Sequence, residues 1–69
     1  MVYIVSEIQT SGDTASVLNF TYTDYDQACS KYHTILSFAA TSNVPKHSAV
    51  IANDDGSIVK RETYVHETE

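Results

Sequence analysis

The chain has one cysteine, one proline, two glycines, no tryptophan and only four Lys and Arg side chains among its 69 residues. Each shortage excludes something. With Cys29 alone, no intrachain disulfide can form and no cysteine-based zinc site can be built. With Gly12 and Gly56 alone, there is no glycine-rich loop to cradle a phosphate. Four basic side chains against nine acidic ones leave a net charge of −5. Gripping DNA or RNA needs clustered Lys and Arg, so nucleic acid is a poor partner for this composition. The acids are scattered without regular spacing, which argues against a nucleic-acid mimic as well. They read as a solvated surface that keeps a small protein soluble. No apolar run approaches the ~20 residues that a membrane helix requires. The stretch from Met1 to Glu7 lacks the basic start of a secretory signal and soon meets a carboxylate. A lone cysteine fits a reducing cytosol.

What is present is a clear alternation of elements. Val2 to Gln9 is rich in β-branched residues and alternates as a strand, with Val2, Ile4 and Ile8 on one side and Tyr3, Val5 and Glu7 on the other. Thr10-Ser11-Gly12-Asp13 is a turn, and Ala15 to Tyr22 a second strand with Leu18, Phe20 and Tyr22 sharing a side. Thr23-Asp24-Tyr25-Asp26 fits a capping box, with Asp24 and Gln27 as a second registration. Ala28, Tyr32, Ile35, Leu36, Ala39 and Ala40 then recur at helical spacing as one apolar stripe. Ser42-Asn43-Val44-Pro45 ends the helix, with Asn43 suited to a left-handed cap and Pro45 holding Val44 extended. Lys46 to Asn53 and Ile58 to His66 read as two more strands around the strong turn Asn53-Asp54-Asp55-Gly56-Ser57. Glu67-Thr68-Glu69 reads as a frayed tail. The expectation is a single α+β domain over residues 1–69. It has the order ββαββ, with a four-stranded, mainly antiparallel sheet and one helix on one face.

A domain this small buries only about 60% of its unfolded surface, and such domains often gain stability by self-association. The strands strengthen that expectation. Each carries apolar residues on both faces: Tyr3 and Val5 oppose Ile4 and Ile8, Ala49 and Ile51 oppose Val50 and Ala52, and Ile58 and Tyr64 oppose Val59 and Val65. One helix covers one face, so the other needs a partner. A homo-oligomer, most simply a dimer, would bury that face or pair edge strands.

Chemistry is sparse. There is no G-x-S-x-G elbow, and Cys29 has no base at a defined spacing, so no catalytic residue is assigned and no enzyme is expected. Cys29 reads as a small packing residue and His33 as a surface or rim histidine. The hairpin closed by Asp54-Asp55-Gly56 sets His47 opposite Tyr64 or nearby, with His66 close to Lys46. Two histidines on neighbouring strands lack a third ligand at fixed spacing, so no metal is expected. No other cofactor is implied. Three of the four cations, Lys46, Lys60 and Arg61, fall in this second hairpin. With aromatic rings alongside, Lys46, His47, Arg61, Tyr64 and His66 form a candidate site for a small phosphorylated ligand. Alternatively, Lys60 and Arg61 are solvated charges that keep an edge strand from aggregating.

The segment Ala28–Val50, ACSKYHTILSFAATSNVPKHSAV, with the opening YIVSEIQT and the closing TYVHE, resembles a group of short proteins. They are encoded in phages and prophages of Gram-positive gut bacteria and have no assigned activity. The likeness spans nearly the whole chain and rests on KYHTIL, VP-x-HSAV and the closing Tyr-x-His-Glu. It carries over no functional residue. It implies an accessory protein in the cytoplasm of a bacterial host cell that acts by binding. Its target would be a host protein, such as an antiviral defence factor, or a small nucleotide-like signal that it sequesters without cleaving.

Overall fold

A computed structural model describes residues 1–66, so the Glu67–Glu69 tail lies outside the described residues. The elements are β1 (Tyr3–Ser11), β2 (Thr14–Tyr22), α1 (Tyr25–Thr41), β3 (Lys46–Asn53) and β4 (Ile58–Val65). The strands form one sheet in the order β2-β1-β3-β4, with every neighbouring pair antiparallel. The expected α+β class and ββαββ order are therefore present. Because β1 lies between them, β2 and β3 run parallel, and α1 is the crossover that joins one to the other.

Local chemistry sets the breaks. Gly12 turns β1 into β2 at φ 60°, and Gly56 turns β3 into β4 at φ 92°, a backbone region costly to other residues. In the second turn the Asp55 carboxylate accepts from the Ser57 backbone N–H at 3.0 Å and its hydroxyl at 2.7 Å. Those two bonds hold the Asp55 pKa below its ordinary 3.8. Helix α1 starts on Asp24, whose carboxylate accepts from the Asp26 N–H at 2.9 Å, as the capping pattern indicates.

Its end differs from expectation. Asn43 is not left-handed, since no non-glycine residue described has a positive φ. Ser42 is extended at φ −75° instead, and its N–H donates to the Ala39 carbonyl at 3.3 Å. The Ser42 hydroxyl accepts from the Val44 N–H at 3.0 Å, and His66 Nε2 donates to the same Ala39 carbonyl at 2.7 Å. A side chain from β4's end thus satisfies a helix carbonyl that a left-handed cap would otherwise serve.

The core is one helix stripe on two strands. Ala28, Tyr32, Ile35 and Ala39 are buried on α1, and the first three pack against Val5 of β1 and Ala49 and Ile51 of β3. Register explains the set: Val5 lies between Phe20 and Ile51, so one row crosses three strands beneath the helix. Ala28 and Ala49 let helix and sheet approach closely, while Tyr3, Phe20, Tyr22, Cys29 and Leu36 close the margins. Ala40, expected in the stripe, is exposed. Ile35, Ile51 and Val5 are the largest fully buried side chains. Each contributes about 1.5–3 kcal/mol of transfer free energy.

One irregularity resets a face. Ile51 pairs with Lys60 but Ala52 pairs with Ile58, leaving Val59 as an extra residue in a β-bulge. Ile58 therefore does not share a face with Tyr64, as simple alternation implies; the bulge shifts the phase of β4 by one residue.

Ile51→Ala should cost about 2–5 kcal/mol in chemical denaturation, enough to unfold much of a domain this small. Phe38→Ala, at a side chain 66% exposed, should stay within about 0.5 kcal/mol. Asp55→Asn keeps the acceptor and removes the charge. Because the folded-state pKa is lowered, the charge's contribution is present above pH 3.8 and fades as pH falls through the folded value. The variant should therefore be slightly less stable than the parent at pH 7, with the difference shrinking as pH falls below 3.8, read by thermal melts.

Candidate binding surfaces

The five residues singled out in the second hairpin occupy separate environments. His47 lies on the helix side of β3, opposite Gln9 and Tyr64, and is only 3% exposed. Its Nε2 is 2.7 Å from Glu7 Oε2, the same oxygen that accepts from Gln9 Nε2 at 3.1 Å. A carboxylate partner places the proton of the neutral ring on Nε2. Nδ1 is buried without a hydrogen-bond partner. An imidazole held this way braces β1 against β3 and does not face solvent.

His66 is also occupied. Its ring donates to the Ala39 carbonyl, its backbone N–H donates to the Pro45 carbonyl at 2.7 Å, and it stacks on Tyr64 with 6.2 Å between centroids. These bonds tie the end of β4 to the end of α1 and the entry to β3. Lys46 is on the opposite face, paired with Thr10 and Val65. Only Tyr64 and Arg61 meet in a shared depression.

That depression is a groove of about 540 Å³ between α1 and β4. Tyr32, His33, Leu36 and Ser37 line its helix wall, and Lys60, Glu62 and Tyr64 its strand wall, with Arg61 at the sheet edge. The Tyr32 phenol is raised above its usual pKa chiefly by burial and then by the Glu62 charge. The groove is thus aromatic and mixed in charge. A second groove of about 520 Å³ runs along the other side of α1, lined by Tyr22, Gln27, Ser30, Lys31 and Thr34. Lys31 reaches over the Phe20 ring there, 4.1 Å from its centroid. Lys60, His33 and Glu62 entered the first groove unannounced by spacing, because α1 and β4 become neighbours only through the strand order.

The helix-free face of the sheet has a different character. Register places Ile4, Ile8, Val50 and Ala52 at its centre on β1 and β3, all half-buried. Val17, Ile58 and Val65 are exposed beside them, at 51%, 58% and 58%. Hydroxyl and amide groups pair across the strands: Ser6 with Asn19 at 2.6 Å, and Ser48 with Thr63 at 2.9 Å. The charged residues at this face's register positions are Lys46 and Arg61. Every carboxylate in the described residues is elsewhere: Glu7 and Glu62 on the helix side, Asp13, Asp54 and Asp55 in turns, Asp24 and Asp26 at the helix start.

Cys29 is half-buried at the core margin, where its thiol raises the pKa of the Tyr25 phenol. Among the described residues no three His, Cys, Asp or Glu side chains converge as a metal site, and no helix is long and apolar enough to cross a membrane. No family model matches the chain, and no match is found among curated proteins or solved structures.

Glu7→Ala leaves both nitrogens of buried His47 unpartnered and should cost about 1–3 kcal/mol. Replacing the pair together, Glu7→Leu with His47→Leu, should cost less than the two single leucine changes added. A double-mutant cycle in urea checks this.

Proposed function

We propose that this chain is a non-catalytic, self-associating accessory protein of the phage type, which inhibits a host defence factor by covering it with the helix-free face of its sheet. The observation that supports this most is the charge sorting on that face. In a chain of net charge −5, the face carries Lys46 and Arg61, no described carboxylate, and a half-buried apolar centre. Such a surface suits a protein patch that is apolar in the middle and edged by Asp and Glu. The host-directed role rests on the resemblance to phage-encoded proteins.

A second reading has one observation in its favour, the α1–β4 groove with Lys60, Arg61, Tyr64 and His33. A small phosphorylated ligand could stack on Tyr64 and bond the cations. Glu62 weighs against it, because a carboxylate beside a phosphate repels it in a confined groove.

The two readings separate in cells that carry a phage-defence system. Expression of the chain should raise the plating efficiency of a phage that the system restricts. Lys46→Glu with Ile58→Asp, both on the open face, should abolish that gain, while Lys60→Ala with Tyr64→Ala should preserve it. The reverse pattern, together with an added mass of nucleotide size in native mass spectrometry, would favour the groove. No gain from the parent chain would reject the defence role.

A further inference from the structure

The two edges of the sheet are built differently. β4 is defended: it carries a bulge at Val59 and the consecutive charges Lys60, Arg61 and Glu62. Bulges and charges are the ordinary means by which an edge refuses another strand. β2 has none of them. Its nine residues, Thr14-Ala15-Ser16-Val17-Leu18-Asn19-Phe20-Thr21-Tyr22, pair regularly with β1 from end to end and include no charge, no proline and no glycine. The first six are all exposed, Val17 at 51% and Leu18 at 54%. Five of the nine, Val, Phe, Tyr and two Thr, are strong strand formers. Among the described residues, the outer side of β2 therefore offers a row of unpaired backbone donors and acceptors with no charge along the strand itself.

We infer that β2 is a self-pairing edge, and that two copies of this chain join antiparallel along it into one continuous eight-stranded sheet. The inference rests on the self-association proposed above and names its geometry. The partner is a second copy because the strand is complementary to itself. Leu18 is the middle residue of Thr14–Tyr22, so a two-fold axis there sets Leu18 opposite Leu18 of the second copy. The same register sets Val17 opposite Asn19, and Ser16 opposite Phe20. No like charges meet along the strand. By contrast, the bulge at Val59 breaks the regular ladder that β4 would need to pair with itself. Both helices then lie on one side of the joined sheet, and the two open faces with their Lys46 and Arg61 cations form a single surface on the other. The closest acids are Asp13 and Asp24, just beyond the strand ends, where each faces the other end of the partner strand. Salt should therefore tighten this pairing by screening them.

Sedimentation equilibrium of the full chain gives the test. The parent should be a dimer that tightens with added salt. Leu18→Lys puts two ammonium groups directly opposite each other and removes the leucine contact. It should weaken the dimer about tenfold or more. Ile58→Lys, on the open face at the other edge, should leave it unchanged. As a check independent of folding losses, Leu18→Cys in a Cys29→Ala background should cross-link to a covalent dimer under mild oxidation, because directly opposed strand residues lie within disulfide range. Val59→Cys in the same background should not. A parent dimer lost on Ile58→Lys and kept on Leu18→Lys, with no Leu18→Cys cross-link, would overturn β2 pairing while leaving self-association in place. A parent that stays monomeric at high micromolar concentration would overturn both.

Discussion

Everything in this molecule depends on one contact, the α1 stripe of Ala28, Tyr32 and Ile35 on Val5, Ala49 and Ile51. A single helix is about 10 Å wide, and neighbouring strands are about 4.8 Å apart, so it covers little more than two strands. β1 and β3 are the two strands it covers most fully. The consequences follow from that width. Both edge strands stand largely free, a groove opens on each side of the helix, and no described element covers the opposite face of the sheet. The same limit sets the energetics: among the described residues, seven buried apolar side chains make the core, three of them alanine. A core of that size leaves little surplus stability, which is why the half-buried Glu7–His47 pair and the His66 bond to Ala39 matter beyond their number.

Much of this was legible in the sequence because it is local. Period-two alternation marks all four strands, the Asp24 cap and the alanine-rich stripe mark the helix, and Gly12 and Gly56 take the positive φ their turns demand. The turn around Gly56 also places His47 opposite Tyr64, because a hairpin fixes its own register. Strand order was not legible, since two hairpins can join edge to edge in several ways. Yet the order decides the site. Only when β1 meets β3 does Glu7 come within reach of His47, which turns a candidate ligand group into a buried brace. The Val59 bulge was hidden for a related reason: alternation cannot announce where it skips a residue. The helix end misled because Asn43 is a good left-handed cap in isolation, whereas the donors to the Ala39 carbonyl are the Ser42 N–H and the distant His66 ring.

The surface then sorts itself around the helix. Acids collect at the helix start, in the turns and on the helix side of the sheet. The open face retains hydroxyls, β-branched residues and two cations. A polar lattice of Ser6 with Asn19 and Ser48 with Thr63 flanks its apolar centre, so the face is wettable without being charged in the negative sense of the rest of the chain. Surfaces of this mixed kind are typical of interfaces that form after folding, whose apolar area resembles that of the protein surface in general.

Residue-resolved amide hydrogen exchange at low micromolar concentration ranks the elements by their opening free energy. The account predicts the slowest amides in β1, β3 and the Ala28–Ala39 stretch of α1, with β2 and β4 exchanging earlier. Slowest exchange in β2 or β4, with β1 or β3 opening first, would contradict a fold organised by one helix on two central strands.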